Sequence, residues 1–210
     1  MGFIFDLDGT LLNSLDDLKN SLNTVLKKYN LPEHTSKDYK QFVGNGMKVL
    51  VDRAIPENHP QRDAILKDFL NEYGQRYYEN SRPYPGVVEM LKTLNERKIP
   101  ISICTNKKQE YTDEIVKRFF GEINFIDVIG DQFDGLHKPN PFCPLKIADK
   151  MRIDPKDMYF VGDSDVDMNT ALNAKMKPIG VSWGFRSIKE LKDAGAVFII
   201  NTPSDLYKLF

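Results

Sequence analysis

The spacing of hydrophobic positions changes along the chain, and each change marks an element. Phe3-Ile4-Phe5 is an apolar run too short for a helix, and it leads into Asp6-Leu7-Asp8-Gly9-Thr10. Such a run predicts a buried strand that stops in a tight turn, with two acids where the strand ends. From residue 15 the period becomes helical. Leu15, Leu18, Leu22, Val25 and Leu26 fall on one face, with Ser14 placed as a cap and Asp16 and Asp17 in the first turn. After Leu31-Pro32, a pattern through Tyr39, Phe42 and Val43 stops at Gly44-Asn45-Gly46, and Met47, Leu50, Val51 and Ala54 form the next set. Beyond Pro56 and Pro60, Ile65, Leu66, Phe69, Leu70, Tyr73 and Tyr77 make an aromatic stripe that reads as core.

Residues 14–82 are therefore expected to be an all-helical insertion, a cap. The chain leaves it through Arg82-Pro83-Tyr84-Pro85-Gly86, a stiff connection suited to a hinge. Strand and helix patterns then alternate. Strands are expected at Ile99–Cys104, Ile126–Ile129, Tyr159–Val161, Ile179–Val181 and Val197–Ile200. Helices are expected at Val87–Lys98, Glu110–Phe120, Leu145–Met151, Ser164–Ala174, Ile188–Ala194 and Pro203–Leu209. Repeated βα units imply an α/β fold, a Rossmann-like parallel sheet with helices on both faces. Residues 1–13 and 83–210 would form this core.

Composition narrows the partners. Lysine and arginine number 29 against 30 acids, a formal net charge of −1, so no global field draws in nucleic acid or an anionic membrane. Two cysteines, Cys104 and Cys143, make no disulfide framework and fit a reducing cytosol. The absence of a basic leader or a membrane-length apolar stretch points to a soluble, cytoplasmic protein, and it is expected to be a monomer or homodimer. His34, His59 and His137 lack the spacing of a zinc site.

In a parallel sheet, ligands bind beyond the carboxyl ends of the strands. Asp6 and Asp8, two apart, would share one side there, although solvated acids at a strand end read equally well. Thr105-Asn106-Lys107 follows the second core strand and offers a hydroxyl and helix-start amides for an anion, or simple helix capping. Lys138 is restricted by Pro139, Ser164 can cap a helix, and Asp163 and Asp167 stand about one helical turn apart with Asp165 turned elsewhere. His137 reads as a surface residue and Cys143 as a packed thiol. Each feature alone has a bland explanation, but their joint occurrence at four strand ends does not.

Together Asp6-Leu7-Asp8-Gly9-Thr10, the strand into Thr105-Asn106, Lys138-Pro139 and Gly162-Asp163-Ser164-Asp165-Val166-Asp167 resemble the four motifs of the haloacid dehalogenase (HAD) superfamily. The resemblance implies Asp6 as the nucleophile that forms an aspartyl-phosphate and Asp8 as acid and then base. It also implies Mg²⁺ held by Asp6, the Asp8 carbonyl and Asp163. Thr105 and the Asn106 amide would bind phosphoryl oxygens, Lys138 would neutralise charge, and Asp167 and Ser164 would support them. An acid at Asp8 favours a phosphatase or phosphomutase within the family. Phe42-Val43-Gly44-Asn45-Gly46-Met47-Lys48-Val49-Leu50 and Val181-Ser182-Trp183-Gly184-Phe185 are similar to phosphoglycolate phosphatases. That likeness implies 2-phosphoglycolate as substrate, with Gly44, Asn45 and Gly46 near its carboxylate and Lys48 or Arg53 as counter-charge. The alternatives are a β-phosphoglucomutase, a phosphatase for a sugar phosphate, nucleotide or pyrophosphate, and, from another class, a non-catalytic phosphate-binding or signalling module.

Overall fold

The computed structural model describes residues 1–210. In its first half, β1 (Gly2–Phe5) and β2 (Leu12–Asn13) are followed by α1 (Leu15–Lys28), α2 (Ser36–Phe42), α3 (Met47–Ala54) and α4 (Arg62–Arg76), then β3 (Arg82–Pro83) and α5 (Val87–Glu96). The second half alternates β4 (Ile101–Lys108), α6 (Gln109–Phe120), β5 (Val128–Asp131), α7 (Phe142–Met151), β6 (Met158–Gly162), α8 (Asp165–Asn173), β7 (Lys177–Val181), α9 (Ile188–Asp193) and β8 (Phe198–Ile200). A 3₁₀ helix, Pro203–Leu209, closes the chain.

The six long strands form one parallel sheet in the order β5-β4-β1-β6-β7-β8, so the chain winds outwards from β1 in both directions. A central strand must be apolar on both faces, which is why the run at β1 shows no polar alternation. Phe3 and Phe5 project into a large apolar cluster shared with the helical segment, and Ile4 packs on the opposite face with Cys104, Ile147 and Phe160. The order of strands reverses at β1, and the carboxyl ends of β4, β1 and β6 open there onto a crevice.

Two local expectations are corrected. First, β4 does not end at Cys104. It runs through Thr105, Asn106 and Lys107 to Lys108 with an irregularity in register, and α6 begins only at Gln109. Thr105 and Asn106 are therefore not at a helix start, and neither caps α6. The apolar pattern stopped early because these polar residues are buried against distant partners. Second, Ser14 does occupy the position before α1, but its hydroxyl makes no capping hydrogen bond and is buried without a partner. Asp17 lies in the first turn of α1, as the pattern predicts, and is buried there. It is 1 % exposed and accepts hydrogen bonds from Asn80 and Ser81. Beside it β2 and β3 pair antiparallel, Leu12 opposite Pro83 and Asn13 opposite Arg82.

Candidate active site

Asp6 directly follows β1 and is nearly buried. Lys138 Nζ, carried by the loop between β5 and α7, lies 2.8 Å from Asp6 Oδ1 and 2.6 Å from Asp167 Oδ1. The approach to Asp6 is too poorly angled for a hydrogen bond, so that contact is an ion pair and Oδ1 has no hydrogen-bond donor. Burial opposes the Lys138 charge, but Asp167 and Asp6 outweigh it and hold the ammonium above its ordinary pKa.

Asp167, in the first turn of α8, is fully engaged. Its Oδ2 accepts from the Ser164 hydroxyl at 2.7 Å and from the Ser164 and Asp163 backbone N–H groups at 3.0 and 3.2 Å. Ser164 thus donates to the carboxylate that wraps the helix start. Asp163, at the end of β6, accepts from Phe185 N at 2.8 Å and from the Thr10 hydroxyl at 3.2 Å, and no cation contacts it. The turn after Asp8 and the loop after β7 press on Asp163 from two sides. A side chain on Gly9 would begin 2.3 Å from Asp163 Oδ2, in a backbone with φ +89°, and one on Gly184 would begin 2.2 Å from Asp163 Cβ. Only glycine fits either place.

Asp8 faces the same cavity but a different cation. Lys107 Nζ donates to its two carboxylate oxygens at 3.0 and 3.2 Å and also to the Tyr73 hydroxyl of α4. The two crowded acids of the first turn therefore have a lysine each. Asn106 holds the cavity together: its Nδ2 donates to Gly44 O and Lys138 O, both at 3.0 Å, and its Oδ1 accepts from Lys138 N at 2.8 Å. Thr105 Oγ1 accepts from Lys107 N at 3.3 Å, leaving its proton free.

Asp6, Asp8, Thr105, Asn106, Lys107, Lys138, Gly44 and Gly46 line this cavity, closed by an apolar ceiling of Leu18, Val43, Met47 and Leu50. Its volume is about 30 Å³, room for little more than water. Two expected residues lie elsewhere. Lys48 is exposed on α3 and does not reach the cavity, because helical spacing turns Met47 and Leu50 inwards instead. Asn45 also lies off the lining, its side chain accepting from Arg53 at 2.9 Å; Arg53 in turn donates to the carbonyls of Gln41 and Phe42. Lys107, Tyr73 and Arg186 are the residues that sequence reasoning missed. Buried Arg186 donates to the carbonyls of Lys40, Gln41 and Val43, tying the loop after β7 to the end of α2. Nothing local in the sequence marks Arg186. For Lys107 the signal was Asp8, an acid at a strand end in need of a counter-charge.

The donor set fits a divalent cation. Asp6, Asp163 and Asp167 are buried with ligand oxygens all within 4.8 Å of one another. With all of Asp6, Asp8, Asp163 and Asp167 ionised, the two ammoniums of Lys107 and Lys138 would leave two negative charges uncompensated. Burial, with Asp167 second, pushes the Asp6 carboxyl up to about 7, and burial followed by Asp167 and Asp6 raises Asp163 well above the usual carboxylate range. Asp6 Oδ1 has no hydrogen-bond donor and Asp163 touches no cation, so these two acids have oxygens to offer a metal, whereas Asp167 Oδ1 is held by Lys138. Oxygen-only donors suit a hard cation.

The chain is similar to known proteins in sequence and in fold. The sequence pattern of the haloacid dehalogenase-like hydrolases matches residues 3–181. A phosphoglycolate phosphatase of Mannheimia succiniciproducens is 31 % identical over 214 residues, covering 98 % of this chain and 96 % of the relative. One from Haemophilus influenzae is 32 % identical with the same coverage. The crystal structure of a protein described as a predicted phosphoglycolate phosphatase from Haemophilus somnus superimposes with a TM-score of 0.91 at 30 % identity, covering 99 % of this chain and 96 % of that one. No helix of the present chain is long and apolar enough to cross a membrane.

Proposed function

The chain belongs to the haloacid dehalogenase-like hydrolases, and from that membership we propose that it is a Mg²⁺-dependent phosphatase hydrolysing 2-phosphoglycolate through an aspartyl-phosphate. The observation that carries the reading is the meeting of Asp6, Asp8, Thr105 and Lys138 around one small cavity, with Asp163 beside Asp6. The names of the relatives supply the substrate.

In this mechanism an Asp6 carboxylate oxygen attacks phosphorus, and the bond from phosphorus to the substrate's ester oxygen breaks. Asp8 gives its proton to that departing oxygen. As a carboxylate it then takes a proton from water, which attacks phosphorus, releases inorganic phosphate and restores Asp6. Lys138 places positive charge next to the attacking carboxylate and the phosphoryl oxygens, and the free proton of Thr105 donates to one of those oxygens. Because the Asn106 side chain is engaged with Gly44 and Lys138, a phosphoryl contact from this residue falls to its backbone N–H. Asp6, Asp163 and the Asp8 carbonyl would hold Mg²⁺, which when bound lets two anions approach by neutralising charge on both.

Residues 14–82 act as the cap and residues 1–13 with 83–210 as the catalytic core. The cap supplies Gly44, Gly46 and the apolar ceiling, so its closure expels water from the reacting groups. The test is a hydrolysis panel of 2-phosphoglycolate, β-glucose 1-phosphate, a nucleoside monophosphate and pyrophosphate, each with Mg²⁺ and with excess chelator. We expect 2-phosphoglycolate to have the highest kcat/KM and chelator to abolish turnover. A faster sugar phosphate or nucleotide would overturn the substrate; turnover that survives chelation would overturn the metal requirement.

A further inference from the structure

A carboxylate-bearing substrate needs a cation at the end of the cavity remote from phosphorus, and the exposed Lys48 does not supply it. We propose that Lys107, held in place by Tyr73, receives that carboxylate and selects substrates that carry one a single carbon away from the scissile oxygen. The inference rests on the phosphatase reading above and names the group behind its substrate preference.

Among the residues lining the cavity, only Lys107 and Lys138 are cations. Lys138 is fixed between Asp6 and Asp167 on the nucleophile side. Arg53 and Arg186 are occupied by backbone carbonyls between residues 40 and 43. Lys107 alone stands on the leaving-group side. It is 3 % exposed, and a buried ammonium must be paired, so its position is sharply defined.

Its place relative to the chemistry follows from Asp8. The acid that protonates the leaving oxygen must come within hydrogen-bond distance of it, and Lys107 Nζ is 3.0 Å from that same acid. A carboxylate joined by one carbon to the leaving oxygen therefore falls within reach of the ammonium. Asp8 Oδ1, Asp8 Oδ2 and the Tyr73 hydroxyl take the three ammonium protons, so a ligand carboxylate gains one by displacing an Asp8 oxygen. Binding of the substrate's carboxylate then draws Lys107 from Asp8 and frees the Asp8 carboxyl to face the ester oxygen. Leu18, Val43, Met47 and Leu50 enclose the remaining methylene and offer no hydroxyl or amide to a sugar.

Tyr73 is the positioning residue. It does not line the cavity; its hydroxyl holds Lys107 from behind, and the ammonium lies 5.0 Å from the ring centroid. Phe69, Tyr77 and Tyr111 pack around that ring at centroid distances of 5.7, 6.0 and 5.6 Å. Since Tyr73 belongs to α4 and Lys107 to β4, the grip is complete only when the helical segment rests on the sheet.

The experiment compares 2-phosphoglycolate with ethyl phosphate, in which a methyl group replaces the carboxylate, for the full-length wild-type protein with Mg²⁺ and for Lys107→Met, Lys107→Arg and Tyr73→Phe. We expect Lys107→Met to lower kcat/KM for 2-phosphoglycolate about 20-fold more than that for ethyl phosphate, mainly through KM, the loss shared by both substrates reporting Asp8 without its counter-charge. Lys107→Arg should recover part of the preference. Tyr73→Phe keeps the ring and the ammonium, and should reduce the preference about fivefold, so it decides the matter should Lys107→Met fail to fold. Equal losses on both substrates, or a preference that survives in the variants, would overturn this inference alone. A wild-type enzyme without any preference for 2-phosphoglycolate would overturn the substrate reading and this inference with it.

Discussion

Asp6 shows how burial prepares a carboxylate for a metal. Between its ordinary value of 3.8 and the value of about 7 that burial and Asp167 impose, the unfolded chain has released the proton that the folded metal-free protein still binds. The unfolded state binds fewer protons in that window, so metal-free stability must fall as pH rises through it. Asp163 is shifted in the same direction and adds to the effect. A divalent cation competes with those protons and relieves the repulsion, so the stabilisation it gives should grow with pH. We expect the increase in Tm on adding excess Mg²⁺ to be small near about pH 5 and to rise steadily towards about pH 8. An increment independent of pH, measured by calorimetry, would show that the metal does not replace protons on these acids. At this scale the sequence made Asp6, Asp8, Thr105, Lys138, Asp163 and Asp167 legible, because each follows a strand pattern and carries a recognisable reactive group. It left Lys107 as a bystander, since the partners that give it meaning lie 99 and 34 residues away.

The elements that join the helical segment to the sheet are the shortest in the molecule. β2 and β3 have two residues each, too few for any period to reveal. They are secured by Asp17, whose carboxylate accepts from Asn80 N at 2.9 Å, Asn80 Nδ2 at 2.8 Å, Ser81 N at 2.8 Å and the Ser81 hydroxyl at 2.6 Å. The chain's departure at α1 and its return before β3 are thus closed by one side chain. Asp17→Ala would leave the buried Ser81 N–H without an acceptor, and we expect it to cost about 3 kcal/mol. For a chain of this length that is a fall in Tm of roughly 10 °C. An unchanged Tm would mean that the junction is held by the ribbon alone. The helices themselves were readable from their stripes: Leu15, Leu18, Leu22, Val25 and Leu26 of α1, and Ile65, Phe69 and Tyr73 of α4, are all buried. The far end of β4 was not, because its last residues answer to Asp8, Gly44 and Lys138 and not to a hydrophobic core.

For the whole molecule, one apolar cluster runs from Phe3 and Phe5 of the sheet through Leu18 and Leu50 to Phe69 and Tyr73, so the helical segment and one face of the sheet are packed as a unit. The cavity of about 30 Å³ lies between the helical segment and the sheet and is partly open to solvent, so movement of the helices would widen it for a phosphomonoester. The parallel sheet was legible from repeated βα units, and its site from the rule that ligands gather at carboxyl ends where strand order reverses. The charge of the whole chain, close to neutral, contributed little; the crowding of the buried acids Asp6, Asp163 and Asp167 organises the chemistry. The central claim is that Asp6 takes the phosphoryl group. Rapid acid quench of the Mg²⁺-loaded enzyme turning over labelled substrate, followed by peptide mapping, tests it most directly. We expect label on the peptide that contains Asp6, removable by hydroxylamine as an acyl phosphate is, and none in Asp6→Asn; label on any other residue would contradict the account.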